Sequence, residues 1–170
     1  MSEQATVVPA EAGPAVSQDF DFLFGSWRMA HRKLDDPFAE NPSWLEFEGT
    51  SEAMPILGGV GNIDTVEIPE FPGRGRFHGF SLRLFDPGEQ VWRIWWASTV
   101  GDGQLDNPVV GGFRDGVGTF ECDDVLGGRE VRVRYEWSEI TPSSARWQQS
   151  FSFDGGETFE PNWIVELERA

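Results

Sequence analysis

Apolar and polar residues alternate with a period of two along most of this chain, and short clusters of Gly, Pro, Asp and Asn interrupt the alternation. That pattern predicts strands that bury one face, separated by tight turns. It is cleanest from Arg129 to Glu139, where Val131, Val133, Tyr135 and Trp137 share one face and Arg132, Arg134 and Glu136 the other. Comparable runs predict strands at Trp27–Leu34, Trp44–Met54, Gly61–Ile68, Gly75–Phe85, Val91–Ala97, Pro108–Arg114, Val117–Asp123, Ala145–Phe153 and Asn162–Glu168. Pro55 with Gly58-Gly59 and Pro69 with Pro72 are read as terminators, and Asp86-Pro87-Gly88 and Asp115-Gly116 as hairpin turns. Helical spacing occurs only before the first strand, where Phe20, Leu23 and Phe24 form one apolar face that Gly25 stops.

The expected fold class is all-β: an antiparallel up-and-down β-barrel of about ten strands with a short N-terminal helical turn, because closing a meander removes its exposed edges. A sandwich is the competing architecture. Residues 1–17 read as an arm preceding a single barrel domain over residues 18–170.

Composition sharpens the picture. Eight tryptophans stand against one tyrosine and one cysteine, and every one falls in a predicted strand. An indole buries a large face yet keeps an N–H that needs a partner, so this many around one core point to an aromatic-walled cavity. The formal charge is −16, from 29 acidic and 13 basic residues. Such a surface repels phosphate, so neither nucleic acid nor an anionic membrane is an expected partner. The N-terminus has neither the basic nor the apolar region of a secretory signal, and Cys122 has no intrachain partner; both agree with a cytoplasmic location.

A resemblance is carried by Gly25-Ser26-Trp27, which opens the first strand after a helical turn, and by Arg169 at the end of the last. A Gly-x-Trp with an arginine from the final strand over its indole resembles the closing device of lipocalins and the wider calycin superfamily. That resemblance implies a structural role for Trp27 and Arg169. The ordered series FDFLFGSW, WLEFEGT, LGGVGN, SLRLFDP, VVGGF, DGVGTF, VRYEWS and ARWQQSFSFDGGETFEPNW is similar to an uncharacterised bacterial, lipocalin-like family of the DUF1579 type. It covers most of the chain from Phe20 to Arg169 and implies a calycin-like barrel, with no settled activity. Phe159 stands where that pattern has Trp, and Glu168 where it has Thr, without consequence for the fold. Nitrobindin-like calycins hold haem through a histidine near the carboxyl terminus; no histidine follows His78 here.

Candidate chemistry is sparse. Ser152–Phe159 looks like an Asp-box, a turn device, and Gly58-Gly59-Val60-Gly61 lacks the lysine and helix of a phosphate loop. His31 shares strand phase with Trp27 and is read as a proton shuttle, or as a buried histidine held by a carboxylate. Arg83, on a strand apolar on both faces, would hold an oxyanion or carboxylate, or else form an outer ion pair. Tyr135 is an inward acid or a packing residue, and these three are the candidate catalytic residues. Candidate ligand contacts are one of Trp95 and Trp96, together with Gln149, Asn162 and His78. No metal site is expected, although His31 and His78 could share a triad if they faced each other. No cofactor is implied. The function expected is binding of a small apolar or aromatic molecule inside the barrel, as a cofactor-independent cyclase- or isomerase-type enzyme. The alternatives are a non-catalytic or homodimeric binding protein and, behind these, a metal or haem protein.

Overall fold

The computed structural model describes residues 16–170, so most of the predicted arm lies outside the described residues. Ten strands follow one another in chain order: β1 (Gly25–Leu34), β2 (Trp44–Ile56), β3 (Gly61–Phe71), β4 (Gly75–Asp86), β5 (Val91–Ser98), β6 (Val109–Arg114), β7 (Val117–Leu126), β8 (Arg129–Ser138), β9 (Ser144–Ser152) and β10 (Glu160–Arg169). Each pairs antiparallel with its sequence neighbours, and β1 pairs with β10 to close the barrel. The architecture is the up-and-down barrel that the alternation predicts.

Of the three terminator prolines, Pro72 follows β3 directly, while Pro55 and Pro69 lie inside strands. Pro55 pairs with Asn62 of β3, but the β1–β2 ladder ends at Gly25↔Ala53, so its missing N–H faces no strand on that side. β3 runs past Pro69 to Phe71 through a register shift, beyond the last β2 partner at Glu67. A proline is tolerated where the ladder has already ended.

The helical turn is a three-residue 3-10 segment, Asp21–Leu23, lying across the end of the barrel where β1 begins. Trp27, fully buried beneath it, donates its indole N–H to the Leu23 carbonyl at 2.7 Å. The Arg169 guanidinium lies 4.0 Å from the Trp27 ring and donates to the carbonyls of Phe22 and Phe24. Gly25 fits here for two reasons: its φ is +106°, and a Cβ would come within 2.9 Å of the arginine. Phe20 packs edge-on against Trp92 and Phe113, each at 5.0 Å. This end of the barrel is a solid plug.

The opposite end carries the β1–β2, β3–β4, β5–β6, β7–β8 and β9–β10 connections. In the last of these, the Asp154 carboxylate accepts from Ser152, from the backbone of Glu157 and Thr158, and from the Thr158 hydroxyl. Those bonds, Thr158 foremost, hold its pKa well below the usual carboxylate range. Among the described residues, no helix is long and apolar enough to cross a membrane.

Candidate ligand-binding cavity

Above the plug the barrel encloses a cavity of about 260 Å³. Ligand pockets usually start near 300 Å³, so this one suits a compact molecule. Its lining follows from strand parity: alternate residues of every strand face in, and their identity decides the chemistry of each wall.

The β8–β10 wall is aromatic. Tyr135 meets Trp147 edge-on at 5.1 Å, and Trp147 meets Trp163 edge-on at 5.8 Å. Trp96 of β5 completes the set, edge-on to Trp163 at 6.4 Å. The outer edge of its six-membered ring sits against Gly79, where a Cβ would fall 2.1 Å from Cη2, so only glycine leaves room for it.

The β2–β4 wall is polar. Arg83, only 3% exposed, donates to Asn62 at 3.0 Å and to Asp64, itself 5% exposed, at 2.5 Å. Its guanidinium also lies 5.1 Å from the Phe20 ring and 5.9 Å from the Trp137 ring. Ser51 and Ser81 are both 7% exposed and line the cavity beside this pair. Ser81 stands directly across from Asp64 in the β3–β4 ladder, and Ser51 lies diagonally from it on β2.

His31 stacks on Phe47, ring centroids 4.9 Å apart and 9° from parallel. The Trp163 indole donates to its Nδ1 at 3.1 Å. An indole can only donate, so the neutral imidazole carries its proton on Nε2, which has no partner among the described residues. Burial lowers the His31 pKa from 6.5 to about 4. Between those two values the unfolded chain binds a proton that the folded chain refuses. His31 therefore supports folding fully above about pH 6.5, and that support drains away as pH falls toward 4, by at most about 1.4 kcal/mol per pH unit. Urea unfolding across this window should show the slope, and His31→Phe should flatten it; an unchanged slope in the variant would place the titrating group elsewhere.

The mouth is charged. Lys33 lies 5.3 Å from the Trp163 ring, and burial followed by the nearby Arg74 lowers its pKa. Opposite it stand Asp106 and Asp124. Burial, with Asp124 and Asp102 close by, raises the Asp106 carboxyl. Cys122 also lines the cavity, its thiol pushed up to about 11 by burial and neighbouring aspartates.

The structure therefore gathers His31, Arg83, Tyr135, Trp96 and Gln149 around one space. Two expected contacts, His78 and Asn162, are corrected, and the choice between Trp95 and Trp96 is decided. His78 is exposed on the outer face of β4: it stands an odd number of residues from Arg83, so the two side chains leave opposite faces of the strand. It cannot share a ligand with His31. Trp95 points outward because Trp96, opposite Ser81, points in. Asn162 lies at the β10 register shift, buried behind the lining, where its side-chain oxygen accepts from Gln149 at 2.7 Å. It positions Gln149 without reaching the cavity. Among the described residues, no group of three or more His, Cys, Asp or Glu side chains is placed to hold a metal ion.

Sequence reasoning missed Ser51, Asp64 and Ser81. The available signal was Asp64, a carboxylate in phase with Val66 and Ile68. Burial moves Tyr135 well above the usual phenol range. Its hydroxyl is therefore a neutral donor.

No protein-family model matches the chain, and no curated protein matches it. Among solved structures it is similar to an S-type phycobiliprotein lyase from Guillardia theta, with a TM-score of 0.54 and 10% identity, over 89% of this chain and 90% of that one. The likeness shows a shared lipocalin-like barrel.

Proposed function

We propose that the barrel binds one small, largely apolar or aromatic molecule between the Trp96–Trp147–Trp163 wall and the polar β2–β4 wall. The cavity itself carries this reading: about 260 Å³ of interior space bounded by three indoles on one side and a few fixed polar groups on the other.

Binding is favoured over catalysis by what already occupies the candidate catalytic groups. The Nδ1 lone pair of His31 is taken by Trp163, and at neutral pH the ring offers a donor and no base. Arg83 gives its two terminal nitrogens to Asn62 and Asp64, and its Nε–H, without a partner among the described residues, is buried away from the cavity. An isomerase- or cyclase-type reading rests on Tyr135, whose neutral hydroxyl lines the cavity and could supply a proton. A DUF1579-type assignment is part of this proposal, and its support is the motif series quoted above.

Isothermal titration calorimetry with ethylnaphthalene should give one site per chain. Val165→Phe, which places a ring in the cavity from a 2% exposed lining position, should lower affinity at least tenfold while thermal unfolding stays cooperative. Equal affinity in the filled variant would place the probe outside the barrel.

A further inference from the structure

The polar wall narrows the class of ligand, on the assumption that the cavity is the binding site. Arg83 is the guanidinium that lines the cavity, and its charge is already met inside the protein by Asp64 at 2.5 Å. A ligand carboxylate would have to displace that partner while facing its negative charge in a space of low dielectric. A ligand ammonium would meet the guanidinium of the same pair. Along this wall, away from Lys33, Asp106 and Asp124 at the mouth, what remains for a ligand is neutral hydrogen bonding. The Ser51 and Ser81 hydroxyls are more than nine-tenths buried, line the cavity, and bond to no described residue. They flank Asp64, whose Oδ1 is also without a partner. Each serine can donate to a carbonyl or accept from a hydroxyl. The opposing wall, from Tyr135 to Trp163, offers aromatic faces and edges.

We propose that the cavity selects an uncharged aromatic or polycyclic ligand carrying carbonyl or hydroxyl groups along one edge, read by Ser51 and Ser81, and that the Arg83–Asp64 pair discriminates against carboxylates. The pair is a specificity device: it makes the wall polar without making it charged. This reverses the anion-holding role that an inward arginine first implies.

Three probes of one skeleton test this by calorimetry: ethylnaphthalene, acetylnaphthalene and naphthoate. Acetylnaphthalene should bind about fivefold to tenfold tighter than ethylnaphthalene, the effect of about one net hydrogen bond, and naphthoate should bind weakest. The Ser51→Ala/Ser81→Ala double variant should remove the acetylnaphthalene preference and leave ethylnaphthalene unchanged; because neither hydroxyl holds another residue, its unfolding midpoint should stay close to that of the parent. Asp64→Asn, which uncovers the Arg83 charge, should raise naphthoate affinity about tenfold. If naphthoate binds the unmodified protein best, the cavity is an anion site and the proposal fails. Equal binding of all three probes also overturns it, while leaving the apolar cavity intact. No binding by any of them removes the cavity reading itself.

Discussion

Arg83→Met should destabilise the protein by about 3–5 kcal/mol, the loss typical when one member of a buried ion pair is removed. The reason lies in the residue left behind. Asp64 is 5% exposed, and no other basic group bonds to it among the described residues, so its charge would be stranded in a low-dielectric wall. Asn62 would lose its donor as well. Replacing both charges, as Arg83→Met/Asp64→Leu, should recover most of the loss, because an apolar pair of similar volume needs no compensation. Urea unfolding of the two variants measures both effects. A loss under about 1 kcal/mol in the single variant would mean that water reaches Asp64 and that the wall is open.

The plug should give the second large effect. Trp27→Ala removes a fully buried indole and should cost about 4 kcal/mol. Arg169→Met removes three bonds, to the Phe22, Phe24 and Pro142 carbonyls, and the stacking on Trp27, for about 2–3 kcal/mol. The two residues touch, so their losses should not add: the double variant should fall short of the sum by about 1 kcal/mol. Strict additivity, measured by chemical denaturation, would show that the arginine acts only through the backbone carbonyls.

The sequence disclosed the barrel because its two signals are local. Alternation fixes a strand's faces, and Gly, Pro and Asp turns fix its ends, which is why ten strands could be placed to within a few residues. Where it erred on ends, at Pro55 and Pro69, the deciding fact was non-local: the neighbouring strand had already stopped. The site was less legible for the same reason. On β1, parity from Trp27 puts His31 inside without further help. On β4 both faces are apolar, so nothing short of the β3–β4 register shows that Arg83 points inward to Asn62 and Asp64.

Some of the remainder was legible and unread. His78 and Arg83 lie an odd number of residues apart on one strand, so they could never have lined the same wall. Asn162 is a different case. The register shift at β10 breaks strict alternation, so parity counted back from Trp163 could not place it. Trp95 and Trp96 were known to face opposite ways, but only the pairing of Trp96 with Ser81 assigns them. The polar wall was missed because serine and aspartate in a strand read as solvent-facing, although Asp64 shares its phase with Val66 and Ile68.

The central claim is that a small apolar molecule occupies the interior against Trp96, Trp147 and Trp163. Quenching of tryptophan fluorescence by bromonaphthalene, a heavy-atom quencher effective near contact, tests it most directly. Titration should quench part of the emission to saturation at one equivalent, and the Trp96→Phe/Trp147→Phe/Trp163→Phe variant should lose that saturable component while keeping the emission of the remaining five indoles. Saturable quenching that persists unchanged in the variant would place the molecule elsewhere and contradict the account.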